Sequence, residues 1–118
     1  MTIDTLRTYC LSMPAATEDL PFDNDTLAFR VGEQGKIFGL IGLERLPPQV
    51  NLKCDPERAV ELREAYEGIM PGYHMNKRHW NTVHLQGVPP DLLRELVDHS
   101  YALIVQSLKV ADRQALGL

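Results

Sequence analysis

Acidic side chains are missing from one long stretch of an otherwise acidic sequence. The chain has 16 Asp and Glu against 12 Lys and Arg, a formal net charge of -4, yet residues 69–89 contain no acid. Within that stretch lies the central segment, residues 71–84, which reads PGYHMNKRHWNTVH and holds the single tryptophan, three of the four histidines and a Lys-Arg pair. Any anionic partner is therefore expected to bind here.

Long apolar runs are also missing. No run approaches the ~18 residues that span a membrane, and the first residues lack the basic start and apolar run of a signal peptide. We therefore expect a cytoplasmic protein without a membrane partner. A chain of 118 residues usually forms one core, so the sequence predicts a single domain, residues 1–118, with residues 110–118 as a frayed tail.

Cysteine is scarce, with Cys10 and Cys54 alone, and both are predicted to be reduced, buried thiols. Hydrolysis by a Cys-His pair has no local signature in this sequence. The glycines at 35, 39 and 42 are spread through a β-prone run with no strand-to-helix turn after it, which argues against a phosphate-binding loop. We therefore predict no cofactor and no catalytic residue.

Metal binding is the alternative for the three central histidines, at positions 74, 79 and 84. A spacing of five places neighbouring members on opposite sides of a strand, which does not suit a shared site. The acids around Pro21-Phe22 match no calcium loop and instead suit a charged edge strand and turn. A frataxin-like iron role needs an acidic first helix, and here that helix carries only Asp4. No metal ligand is predicted.

Hydrophobic periodicity and turn residues predict the elements in order. They are a helix over residues 2–13, a short edge strand and turn within residues 18–25, a hairpin over 27–43 with Gly39 and Gly42 at a bend or bulge, a strand over 49–54, a helix opened by Asp55-Pro56 and ended by Gly68, a loop over 69–72, a strand over 79–86 and a helix from Pro90 to about Lys109. Strands joined by hairpins need only one covered face. The predicted fold is α+β, a mostly antiparallel sheet with its helices on one face.

The two-residue period of a strand predicts which side chains lie on the uncovered face. Val83 and Leu85 share one side of the last strand, and Trp80, Thr82 and His84 share the other. If the aliphatic side chains face the helices, Trp80 projects from the open face, on the same side as Lys53 and Arg30.

The run over residues 71–83, the short first helix and the Asp55-Pro56 helix resemble the MmcQ/YjbR family of small bacterial proteins. The likeness covers roughly residues 1 to 110. It implies an α+β fold similar to that of the frataxin-like CyaY proteins, and a DNA-binding label based largely on shape, described as a double-wing arrangement. The family provides no catalytic residues. Its characteristic run matches Met75, Asn76, Lys77, His79 and Trp80 here.

The sequence favours weak, largely non-specific nucleic-acid binding through a basic and aromatic sheet face. The predicted site residues are Arg30, Lys53, Asn76, Lys77, Arg78, His79 and Trp80. The alternative is a protein- or small-ligand-binding module that uses the same face, and an enzyme ranks third. The sequence pI of about 5.5 argues against tight DNA binding, for which a domain pI above about 9 is usual.

Overall fold

A computed structural model describes residues 1–73 and 75–118. Within these residues there are four helices and six strands. In chain order they are α1 Ile3–Leu11, β1 Ala16–Asp19, β2 Thr26–Val31, β3 Lys36–Gly42, β4 Gln49–Lys53, α2 Pro56–Ala65, β5 Ile69–Pro71, β6 Trp80–His84, α3 Pro90–Ser107 and α4 Val110–Ala115. The predicted α+β class is confirmed.

The six strands form one antiparallel sheet in the order β1-β2-β3-β4-β6-β5. One face packs against helices α1, α2 and α3 in a single apolar cluster, to which Phe29, Phe38 and Ile41 contribute fully buried side chains. The opposite face carries none of these helices, and we call it the open face.

The predicted irregularity in β3 is confirmed beside Gly39. Phe29 pairs with Gly39, and the next residue, Arg30, pairs with Ile37, so Phe38 is the extra residue of a bulge. A Cβ at Gly39 would lie 3.4 Å from the Phe29 ring. The bulge is confined to the β2–β3 pair, so β6 keeps the regular alternation that assigns Trp80 to the open face.

Side-chain caps fix the starts of the first two helices. The Thr2 hydroxyl accepts a hydrogen bond from the Thr5 amide, and the Asp55 carboxylate accepts one from the Arg58 amide, with Pro56 at the first helical position. The longest helix, α3, has 18 residues and buries Leu93, Leu96, Val97, Ser100 and Ile104. These caps and apolar stripes are the signals that predicted the helices.

Two elements differ from the sequence-based expectation. Residues 69–71, predicted as a loop, form edge strand β5, which pairs with β6 from Ile69↔Val83 to Pro71↔Asn81. Residues 110–115, predicted to fray, form helix α4. This helix is held because Leu116 packs 3.2 Å from the Cβ position of Gly32, in the β2–β3 turn.

Among the helices of the described ranges, none is both long and apolar enough to cross a lipid bilayer.

Candidate nucleic-acid interface

The open face carries a single carboxylate among its strand residues, all of which the structure describes. That group is Asp19, and its Oδ1 accepts a hydrogen bond from Arg30 Nε at 2.9 Å. Arg30 Nη1 also donates to the Gly35 carbonyl at 2.8 Å. Arg30 thus lies on the predicted face, but its charge is paired with that of Asp19 on the neighbouring edge strand β1.

Trp80 and Lys53 lie directly opposite each other on β6 and β4. Opposed residues of an antiparallel pair project to the same side with Cβ atoms about 5 Å apart, so the predicted neighbours Trp80 and Lys53 are brought together on the open face. Both side chains are half-buried. Gly72 lies on the other side of Trp80, where a Cβ would come within 3.1 Å of the Trp80 Cβ.

Residues 72, 73 and 75–79 belong to the loop between β5 and β6, and Asn76 bonds to the backbone there. The Asn76 Oδ1 accepts a hydrogen bond from the Arg78 amide at 3.0 Å, and the Asn76 carbonyl accepts from the amides of His79 at 3.1 Å and Trp80 at 2.9 Å. Asn76 therefore closes the turn that leads into β6. Asn76 was predicted as a site residue, and in the structure it bonds to the backbone of the loop.

The same loop carries an exposed cation on an exposed aromatic ring. Lys77 Nζ lies 5.1 Å from the centroid of the Tyr73 ring, within the range of a cation–π contact. Tyr73 is 61% exposed. With Lys53 and Trp80, these residues form the open-face patch, defined as Lys53, Tyr73, Lys77 and Trp80.

Arg63 of α2 holds this loop from the helix side. Its Nε donates to Asn81 Oδ1 at 2.6 Å, and its Nη2 donates to the Lys77 carbonyl. Asn81 is 2% exposed and donates through Nδ2 to the Ala59 carbonyl at 3.4 Å. Arg63 therefore holds the backbone at Lys77 while the Lys77 side chain stays exposed.

Arg78 and His79, both predicted site residues, lie away from the open-face patch. Arg78 borders a groove with Glu57 and Glu61 of α2. His79 is half-buried, and its carbonyl accepts a hydrogen bond from the Cys54 amide at 2.8 Å. Residues 69–89 contain no acid, but in the folded chain Glu57 and Glu61 lie close to Arg78.

A pocket beside the patch was missed from the sequence. It has a volume of about 200 Å³ and is lined by Arg45, Gln49, Asn51, Met70, Tyr73 and Thr82. We call it the polar pocket. Asn51 pairs with Thr82, and Met70 also pairs with Thr82. The period of two along β4 and β6 could have identified Gln49, Asn51 and Thr82, whereas Arg45 follows β3 in a turn and has no periodic signal.

Histidines and cysteines are the remaining side chains considered for metal binding or catalysis. The described residues contain no group of three or more His, Cys, Asp or Glu side chains that could hold a metal ion. His74, one of the three histidines considered as ligands, lies outside the described residues. Both cysteines are buried and unpaired. Burial raises the pKa of Cys10 to about 12 and also raises the pKa of Cys54, which disfavours the nucleophilic thiolate.

Comparison with known proteins places the whole chain in one family. The model of the family described as YjbR matches residues 11–103. The Escherichia coli K12 protein named Uncharacterized protein YjbR is 36% identical over 117 residues, 98% of each chain. Uncharacterized protein YbdF of Escherichia coli O157:H7 is 36% identical over 112 residues, 94% of this chain and 90% of its own.

Solved structures agree with this match. A Deinococcus radiodurans protein with a DUF419 domain superposes with a TM-score of 0.92 at 44% identity, covering 99% of this chain and 88% of that one. A Pseudomonas syringae protein superposes with a TM-score of 0.76 at 28% identity, covering 88% of this chain and 99% of that one. The resemblance drawn from the central segment is confirmed, and the chain belongs to the YjbR family.

Proposed function

We propose that the protein binds single-stranded nucleic acid, DNA in the first instance, on the open face of its sheet. The observation that supports this most is the placement of Trp80 directly opposite Lys53 on a face whose one strand carboxylate, Asp19, is paired with Arg30. An aromatic ring beside an unneutralised cation is the recurring arrangement of single-strand binding surfaces.

Within the open-face patch, the lysines are assigned to phosphates and the aromatic side chains to bases. Lys53 and Lys77 meet phosphate oxygens, since neither makes an ion pair with any residue that the structure describes. Trp80 and Tyr73 offer ring faces for stacking. Asn76 shapes the loop, whereas Arg30 and Arg78 contribute less than Lys53 and Lys77 because acidic groups lie beside them.

An unpaired strand fits this surface better than a duplex. Stacking on Trp80 requires a base that is free of its partner, and two free lysines neutralise only a small part of the charge that a duplex presents. The net charge of -4 opposes close approach of a densely charged double helix. We therefore expect weak binding, in the non-specific range of ~10⁻⁴–10⁻⁶ M.

Titration of a fluorescently labelled single-stranded DNA and its duplex tests this function. Lys77→Ala and Lys53→Ala are expected to weaken binding to both forms, whereas Trp80→Ala should weaken single-strand binding more than duplex binding, because only the single strand can stack. Lys109→Ala is the matched control, since Lys109 is an exposed cation at the α3–α4 junction. No binding at low salt, or equal binding by Lys77→Ala and the parent, would contradict the proposal.

A further inference from the structure

The polar pocket lies next to the open-face patch and shares Tyr73 with it. Thr82 lies two residues after Trp80 on β6, and Asn51 lies two residues before Lys53 on β4, so the pocket floor continues the same face of the sheet. Arg45 bounds the pocket at the far end of β4. Its stem lies over Gly42, whose Cβ position is 3.4 Å from Arg45 Cβ.

Hydrogen-bonding capacity in the pocket is mostly unused. Thr82 and Asn51 are joined by a bond of 2.6 Å between Thr82 Oγ1 and Asn51 Oδ1. Since an amide oxygen can only accept, the hydroxyl is the donor, and the Asn51 amide nitrogen keeps both of its N–H groups. The side chains of Gln49 and Arg45 make no hydrogen bond to any described residue. The pocket therefore presents more donors than acceptors. The donors are the N–H groups of Asn51, Gln49 and the Arg45 guanidinium, and the free acceptors are the Gln49 Oε1 and the Thr82 hydroxyl oxygen.

Size and charge restrict the ligand. A volume of about 200 Å³ is below the roughly 300–1,000 Å³ of sites for drug-sized molecules, so the pocket can enclose one small ring while groups attached to that ring lie at its edge. Arg45 suits an anionic group, and Tyr73 and Met70 provide aromatic and apolar contact. A free amino acid fits poorly, because none of the six lining residues is acidic and its ammonium group would lack a partner.

We propose that the polar pocket binds one keto pyrimidine nucleotide, a thymine or uracil base with its 5′-phosphate. The ring lies against Tyr73, the acceptor oxygens of the base face the N–H groups of Asn51 and Gln49, and Arg45 binds the phosphate. Thymine presents two carbonyl acceptors and a single N–H, which the Gln49 Oε1 can accept. Cytosine presents an amino group in place of the O4 acceptor, and its two N–H groups meet a pocket with few acceptors. This inference rests on the proposed function and deepens it by naming the base that would follow the one stacked on Trp80, and free nucleotides test it separately.

Chemical-shift titration of the ¹⁵N-labelled protein with dTMP, dCMP, thymidine and ribose 5-phosphate tests the ligand. We expect dTMP to shift the side-chain amide signals of Asn51 and Gln49 saturably, with an affinity several-fold tighter than that of dCMP. Thymidine lacks the phosphate and ribose 5-phosphate lacks the base, so each should bind more weakly than dTMP. Equal shifts from ribose 5-phosphate and dTMP, or equal affinity for dCMP and dTMP, would overturn the proposal.

Two variants test the residues. Arg45→Ala should weaken dTMP several-fold and leave thymidine unchanged, and Gln49→Ala should reduce the discrimination between dTMP and dCMP. The matched controls are Lys109→Ala and Gln106→Ala, which remove an exposed cation and an exposed amide on the helical side. If Arg45→Ala and Gln49→Ala bind dTMP and dCMP as the parent does, the assignment is wrong.

The two proposals fail in different ways. Strand binding that depends on Lys77 and Trp80, together with no saturable dTMP shift, would overturn the pocket and leave the proposed function in place. Saturable dTMP binding without any strand binding would support the pocket and contradict the proposed function.

Discussion

At the scale of one residue, Gly72 allows two backbone segments to approach closely beside Trp80. A side chain at this position would bring a Cβ within 3.1 Å of both the Cβ and the carbonyl oxygen of Trp80. The Gly72 amide also donates to that carbonyl at 2.9 Å. Close approach of the two backbones beside Trp80 therefore favours glycine, and Pro71-Gly72 in the sequence marks the edge of the site.

His99 makes folding stability sensitive to acid. Its Nε2 accepts a hydrogen bond from the Asp55 amide at 3.1 Å, at the start of α2. Burial, and secondarily the charge of Arg58, lower the pKa of His99 from its ordinary value of 6.5. As the pH falls the unfolded chain takes up the proton first. The stabilisation by His99 is thus fully present above about pH 6.5 and is lost as the pH falls through the lowered pKa.

Urea unfolding from about pH 8 down to about pH 5 measures this effect. We expect His99→Gln, which keeps an acceptor near the Nε2 position without titrating, to lose less stability than the parent over the acid part of that range. Gln106→Ala, at an exposed amide near the end of α3, is the control and should follow the parent. An identical pH dependence for His99→Gln and the parent would disprove this role for His99.

Charge in space differs from charge along the chain, as Arg30 and Arg78 illustrate. Arg30 belonged to the predicted phosphate-binding set because strand alternation puts it on the open face, and Arg78 because it lies in the stretch without acids, residues 69–89. The β1–β2 register brings Asp19 to Arg30, and the packing of α2 brings Glu57 and Glu61 to the groove beside Arg78. Lys53 and Trp80 could be predicted as neighbours because strand alternation is local, whereas these pairings depend on tertiary packing.

At the scale of elements, one buried amide joins strand β6, helix α2 and the β5–β6 loop. Asn81 accepts from Arg63, which also donates to the Lys77 carbonyl. Asn81→Ala leaves a half-buried guanidinium short of one acceptor, a loss that usually costs about 1–3 kcal/mol. We expect the free energy of unfolding to fall by this amount in urea denaturation, and strand binding to weaken because Lys77 is no longer held.

Arg94→Ala is the control for Asn81→Ala. Arg94 pairs with Asp91 three residues earlier on α3, at an Nη1–Oδ1 distance of 2.7 Å, and the Asp91 side chain is 99% exposed. An exposed pair of this kind contributes below about 1 kcal/mol. In a double-mutant cycle, Arg63→Ala and Asn81→Ala should be less than additive because they share one hydrogen bond. An Asn81→Ala loss no larger than that of Arg94→Ala would show that this link is not important.

The elements that the sequence missed are those with weak local signals. Strand β5 has three residues, one of them Pro71, and proline in a strand is tolerated only at an edge such as this. Helix α4 has six residues and no side-chain cap, so its stability depends on Leu116 packing over Gly32. The long helix α3 and the capped helices α1 and α2 were predictable because caps and apolar stripes are encoded locally.

At the scale of the whole molecule, many of the exposed acids lie on the helices rather than on the open face. Exposed acids lie on the outer surfaces of the helices, at Glu57, Glu61 and Glu64 of α2 and at Asp91, Glu95 and Asp98 of α3. The open face instead offers Arg45, Lys53 and Lys77, none of which pairs with an acid in the part of the chain described here. A negative net charge is thus compatible with an anion-binding face, although it limits the affinity.

The salt dependence of single-strand binding tests this distribution of charge. Each phosphate neutralised on a single strand contributes about -0.7 to the slope of log K against log salt, so three cations allow a slope of about -2. We expect Arg45→Ala, Lys53→Ala and Lys77→Ala each to flatten the slope by about 0.7, and the triple variant to bring it close to zero.

Lys109→Ala should leave the slope unchanged, because Lys109 lies at the α3–α4 junction. Anisotropy titrations over a series of salt concentrations provide the measurement. A parent slope much steeper than about -2 would mean that cations outside the open face take part, and a triple variant with the parental slope would place the binding surface elsewhere.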